Sequence, residues 1–220
     1  MTAPGAPSDS ERLPGPGRMV AFVDASVAIA LTLLVLPLTE LVPERGASEK
    51  PALEVVTGNL PVFGSFLLSF VVIARFWVVH HRLFGHVGRL TPRLVWVNLF
   101  WVLTIVVLPF LTQFVASYGP DPVIVRSYIG VLALCSGALT AMALTMYRLG
   151  IADGDGSGPP DDFVDGVVAA TVDMALAFLL VLIVPAVNYW ALLLLVIDPL
   201  TVRAVSRLRR GPSRRSPARG

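Results

Sequence analysis

The chain has 220 residues, of which 55% are hydrophobic and 15% charged, and its mean hydropathy is +0.75. Soluble domains carry about 25% charged residues, so this composition excludes an ordinary soluble fold and points to one membrane domain of several helices. The net charge is only +2, and the single cysteine, Cys135, excludes an internal disulfide and any site built on several thiolates.

Residues 1–17 are rich in Pro, Gly and Ser and carry Asp9, Glu11 and Arg12; they read as a disordered cytosolic tail. A signal peptide is not expected. The apolar run that follows is about 20 residues, beyond the roughly 7–15 of an h-region. It also ends in Pro37, Leu38, Thr39 and Glu40, with no small-residue cleavage site.

The expected fold is an all-α membrane protein with six transmembrane helices in one domain, 18–206, followed by a basic disordered tail, 207–220. The first helix is expected over about 19–39 and the second over 60–80. The third spans 93–115, with Trp96 and Trp101 in its first half. The fourth covers 124–147. The fifth runs over 164–184 and stops before Pro185. The sixth, 187–206, opens on an interfacial cluster of Asn188, Tyr189 and Trp190. The acidic loop DGDGSGPPDD lacks the spaced ligands and closing Glu of a calcium loop and reads as a linker.

Arginines set the orientation. Six spans place both ends on one side, with the loops carrying Arg82, Arg89, Arg93 and Arg148, and that side holds 13 of the 17 Lys and Arg residues. The opposite side has only Arg45, Lys50 and Arg126, while Arg75 lies within the second span. By the positive-inside rule both termini are cytosolic.

Four ionisable groups fall inside spans: Asp24, Arg75, Asp173 and Asp198. Each costs about 2.5–3.5 kcal/mol at a helix centre unless it finds a partner or water. At 1.5 Å per residue, Asp24 and Arg75 both sit roughly 8–9 Å from the cytosolic end, so a network of Asp24 with Arg75, His80 or His81 is expected. Its plainest role is to lock helices together. Asp173 and Asp198 read as packing devices, with proton carriage as the alternative.

The first helix is directional. At 100° per residue, Ile29, Leu33 and Leu36 fall within about 60° of one another, with Thr32 flanking them and Asp24 about 140° away from Ile29. An aliphatic stripe usually faces lipid or core. Facing symmetry mates, it makes a hydrophobic constriction that gates by dewetting. No nucleotide-binding glycine pattern, Gly-x-Ser-x-Gly or zinc spacing is present.

Arg18, Phe22 and Asp24, followed by AIALTLLVLPL (28–38), resemble the R-x-x-x-F-S-D signature and first helix of the transmembrane protein 175 family of potassium channels. FWVVHHRLF (76–84) and WVNLFWVLTIVVLPF (96–110) resemble that family's second and third helices, and the TVGYG filter of ordinary potassium channels is absent. The resemblance implies a homotetramer with the first helix lining a central pore. Ile29 would form the bottleneck, Leu33 and Leu36 its next layers, and Thr32 a hydroxyl associated with selectivity. Arg18, Phe22 and Asp24 would form a helix lock with His80, His81 and Asn98. No cofactor or metal is implied. Val23 replaces the family's serine, which removes one hydroxyl from that lock.

The resulting expectation is a potassium-permeable channel of the cell membrane, with potassium ions, the bilayer and its own copies as partners. A proton channel or proton-coupled carrier using Asp24, the histidines and Asp173 is the alternative. A membrane enzyme or haem protein would need His80, His81 and His86 together, although neighbouring histidines point about 100° apart on a helix.

Overall fold

Prolines open four of the long helices, where a fixed φ suits the first turn and the missing N–H is no loss. The computed structural model describes residues 13–42, 51–119, 121–149, 159–184, 187, 189, 205 and 206. Among these, α1 runs Pro16–Leu33, α2 Leu36–Thr39, α3 Ala52–Gly58, α4 Leu60–Phe84, α5 Pro92–Tyr118, α6 Pro122–Leu149 and α7 Asp161–Ile183. Five spans are long and apolar enough to cross a membrane: Pro16–Thr39 and the four helices α4 to α7. The expected sixth span, 187–206, and both tails lie almost entirely outside the described residues.

The helices exceed the expected bounds at most ends. α4 continues through His81 and Arg82 to Phe84, because basic side chains in a last turn suit the helix dipole and reach the headgroups. The first span is broken at Leu34 and Val35, where Val35 N–H turns back to Thr32 O at 3.2 Å. Pro37 explains the break: it has no N–H for the carbonyl of Leu33. α3 had no counterpart in the hydropathy reading, being seven residues with none buried. Thr91 caps α5 by accepting from Leu94 N–H at 3.3 Å, and Asp121 caps α6 by accepting from Val123 N–H at 2.8 Å.

α5 sits centrally, packed against α1, α4 and α6, and α7 completes the bundle against α6. Leu94, Trp101, Ile105 and Leu108 of α5 are fully buried against Ile129, Leu132 and Met142 of α6. Lipid tails are as apolar as leucine, so apolar matching alone does not hold such helices together; close packing and hydrogen bonds between helices do. Thr112 donates to Ser69 at 2.7 Å, and Ser69 meets Tyr128 at 3.0 Å, which pins α4, α5 and α6 at one point. Between α6 and α7, Thr171 meets Thr140 at 2.8 Å and Ser136 at 2.9 Å.

Residue pairs fix the directions. Ser69 bonds Thr112, while further along α4 His80 bonds Asn98 earlier in α5, so these helices are antiparallel. The same holds for α6 and α7, where Ser136 and Thr140 both meet Thr171 and Thr140 also reaches Val167 O. The start of α1, the end of α4 and the start of α5 therefore share one end of the bundle, the end that carries Arg18, Arg82, Arg89 and Arg93.

Candidate functional site

α1 has two faces at helical spacing. Met19, Val23, Val27, Ala30 and Leu34 are buried, each within 6% exposure. Phe22, Ile29, Leu33 and Leu36 lie outward, with Ile29 61% and Leu36 52% exposed. Phe22, Ile29 and Leu36 are seven residues apart, so they stack almost in line. Thr32 is exposed beside them, and its hydroxyl donates to the carbonyl of Ile29 at 2.8 Å. The single chain thus presents an unpartnered row of one aromatic and three aliphatic side chains, with a hydroxyl at its flank.

The inward side of α1 is held by a carboxylate. Trp77 Nε1–H donates to Asp24 Oδ1 at 2.7 Å. His81 Nδ1 stands 3.9 Å from the same oxygen, and the Trp77 and His81 rings tilt together at 5.5 Å. Trp77 and His81 are four residues apart on α4, which places both over Asp24.

His80 belongs to a separate arrangement. It is fully buried, its Nε2 meets Asn98 Oδ1 at 2.7 Å, and its ring lies between Phe84 at 4.4 Å and Trp101 at 4.3 Å. This joins the cytosolic-end turns of α4 and α5. The residues expected to form one lock therefore divide into two: Asp24 with Trp77 and His81, and His80 with Asn98.

Two expected members stand apart from these pairs. Arg18 is exposed and makes no ion pair with Asp24 among the described residues, and Phe22 faces outward with Ile29. Arg75 is not a partner of Asp24 either. It is turned about 200° from Trp77 on α4 and lines a cavity against α6 and α7. The depth argument placed Arg75 at the right level but ignored the angle.

Trp77 is the residue that reading by charge overlooked. Its indole N–H is a neutral donor, and only its four-residue spacing to His81 marks it in the sequence. Val23, in place of the family's serine, is fully buried in the apolar core, where it fills space and leaves no hydroxyl to satisfy. Asp173 is buried on α7 and Asp198 lies outside the described residues. The three histidines are not gathered: His86 bonds the carbonyl of Arg82 through Nδ1 at 2.9 Å, away from the His80 stack.

Residues 18–109 match the family described as "Endosomal/lysosomal potassium channel TMEM175". The chain is 34% identical over 145 residues to a potassium channel of Chamaesiphon minutus, covering 66% of each chain. It is 31% identical over 133 residues to a potassium channel of Streptomyces collinus, covering 60% of this chain and 62% of that one. It is 28% identical over 120 residues to the human endosomal/lysosomal proton channel TMEM175, covering 54% of this chain and 22% of that protein. The matched stretch thus spans just under two thirds of the bacterial relatives. The fold is similar to the crystal structure of a lysosomal potassium-selective channel TMEM175 homolog from Chamaesiphon minutus, with a TM-score of 0.65 at 22% identity, over 87% of this chain and 98% of that one.

Proposed function

Since the chain belongs to the TMEM175 family of channels, we propose that it is a potassium-permeable channel of the cell membrane whose pore is lined by α1. Four copies assemble around a central axis, with both termini cytosolic. The observation that carries this reading is the division of α1 into a buried face anchored through Asp24 and an outward row of Phe22, Ile29, Leu33 and Leu36. Turned toward three other copies, that row forms stacked apolar rings. Ile29 makes the narrowest, and Leu33 and Leu36 line the next layers.

Such rings conduct when they widen enough for an ion to keep part of its water, and they close by dewetting when they narrow. Potassium holds its water less tightly than sodium, so an aliphatic ring favours potassium through its lower dehydration cost. The preference is modest, because no ring of carbonyl dipoles replaces the lost water. Thr32 adds a hydroxyl oxygen at the margin of the Ile29 ring. Trp77 and His81 hold Asp24 on the inward side and so fix which face of α1 meets the axis. His80 and Asn98 hold α4 to α5 beneath that anchor.

A proton cargo is the second reading. It is favoured by the relatives named as proton channels and by the carboxylate of Asp24 beside His81.

The test is ion flux into liposomes containing the purified protein, with potassium, sodium and protons read separately, beside Ile29→Asn. Potassium flux that rises or loses its preference in Ile29→Asn supports the reading. Potassium flux indifferent to Ile29→Asn moves the pore elsewhere, and flux of protons alone selects the second reading.

A further inference from the structure

Arg75 lies nine residues before the end of α4, roughly 13 Å along the helix, and it is exposed on the surface of the chain. An outward arginine at that depth is costly unless something polar meets it. It lines a cavity of about 290 Å³ between α4, α6 and α7, together with Asp162, Ser136, Phe76, Val79 and Val167. A second cavity of about 50 Å³ shares Arg75 with Val72, Ala170 and Met174. α4 runs toward the basic end of the bundle and α7 runs away from it. Asp162 therefore marks the top of this groove, while Val72 and Met174 mark its bottom. Arg75 lies between, and its long stem lets the guanidinium rise toward the headgroup level.

The groove thus has an acid at the surface, a base below it, and an apolar floor leading to the bilayer centre. We propose that it seats an aminophospholipid of the phosphatidylethanolamine type, with its phosphate on Arg75, its ammonium at Asp162 and an acyl chain along Val72 and Met174. A purely anionic headgroup would match Arg75 but would meet the Asp162 carboxylate without a compensating cation. Gly166 keeps the upper groove open, since a Cβ built there would touch nothing within 4 Å.

The lipid site rests only on α4 and α7 crossing the bilayer. Its consequence rests on the channel reading: Arg75 and Trp77 sit on opposed faces of one helix, so a lipid that fixes α4 also steadies the anchor of Asp24.

The experiment is native mass spectrometry of the full chain ejected from nanodiscs of mixed phosphatidylethanolamine, phosphatidylcholine and phosphatidylglycerol. Phosphatidylethanolamine is expected to be retained preferentially. Phosphatidylcholine should be retained less, because its trimethylated ammonium donates no hydrogen bond to Asp162. Asp162→Asn should weaken phosphatidylethanolamine about two- to fivefold, the range of a half-exposed ion pair. Gly166→Phe, which fills the groove, should abolish the preference. Retention that follows negative charge alone, or a preference untouched by Gly166→Phe, overturns the proposal. So does burial of Gly166 against a second copy, read as protection of Gly166→Cys from a lipid-phase thiol reagent in the assembled protein. Failure of ion flux would count against the channel reading and leave these binding results unaffected.

Discussion

The indole N–H of Trp77 meets the carboxylate of Asp24 at 2.7 Å, tying the first and second long spans together at their shared end. Asp24 is a charged group within a span, and Trp77 gives it a donor without adding a second charge. The side chain of Asp24 keeps 38% of its surface, so this bond is only partly desolvated.

Trp77→Phe keeps the ring and removes the donor. The expected loss is about 1 kcal/mol, below the figure for a buried bond to a charged group because Asp24 is partly solvated. Asp24→Asn should lose a similar amount, and the double variant should lose no more than either alone. Thermal unfolding of the four proteins in one detergent checks this; additive losses would mean that Trp77 and Asp24 act independently.

His80 and Asn98 form the buried counterpart. Asn98→Leu leaves a ring nitrogen of His80 without its acceptor, between the rings of Phe84 and Trp101. The expected cost is about 1–3 kcal/mol, larger than at Trp77 because burial removes the alternative of water. The same unfolding assay should rank Asn98→Leu below Trp77→Phe in stability.

Leu33→Asn and Leu36→Asn alter side chains exposed in the single chain. Folding of the subunit should change by no more than about 0.5 kcal/mol, whereas flux through the assembly should change clearly. Liposome flux read beside unfolding separates the two. A large stability loss with unchanged flux would show that this face packs within the subunit. Thr32→Val should shift the potassium preference while leaving stability equally unaffected.

Topology can be read with thiols. Cys135 is fully buried and has no disulfide partner, so it should resist a membrane-impermeant reagent. Against that background, Arg89→Cys should label only from the cytosolic side and Asn59→Cys only from the opposite side. The reverse pattern would invert the orientation read from the arginines.

The membrane class, the five described spans and their order were legible because each is a long apolar run bounded by charges or prolines. The outward stripe of α1 was legible too, since angular spacing is intrinsic to a helix. Partners across helices were harder. Depth along a span placed Asp24 and Arg75 at one level, but level says nothing of azimuth, and Arg75 points toward α7. Trp77 escaped because a neutral donor leaves no mark in a search for charges. His81 and His80 are neighbours in sequence, yet one stands beside Asp24 and the other is stacked in the core, as a 100° step per residue requires. α3 was missed because seven exposed residues carry no periodic apolar face.

Asp24 and Ile29 are five residues apart on an uninterrupted helix, one held inward and the other turned outward. The chain therefore measures the azimuth of its outermost row by counting residues from the carboxylate. Substitutions between the two leave that count intact. A single insertion or deletion there would rotate everything beyond it by 100°, bringing Val27 or Ala30 neighbours to the outside and driving Ile29 into the core. An insertion of seven would restore the phase at the expense of depth. In this stretch the spacing of the letters is under tighter constraint than most of the letters themselves.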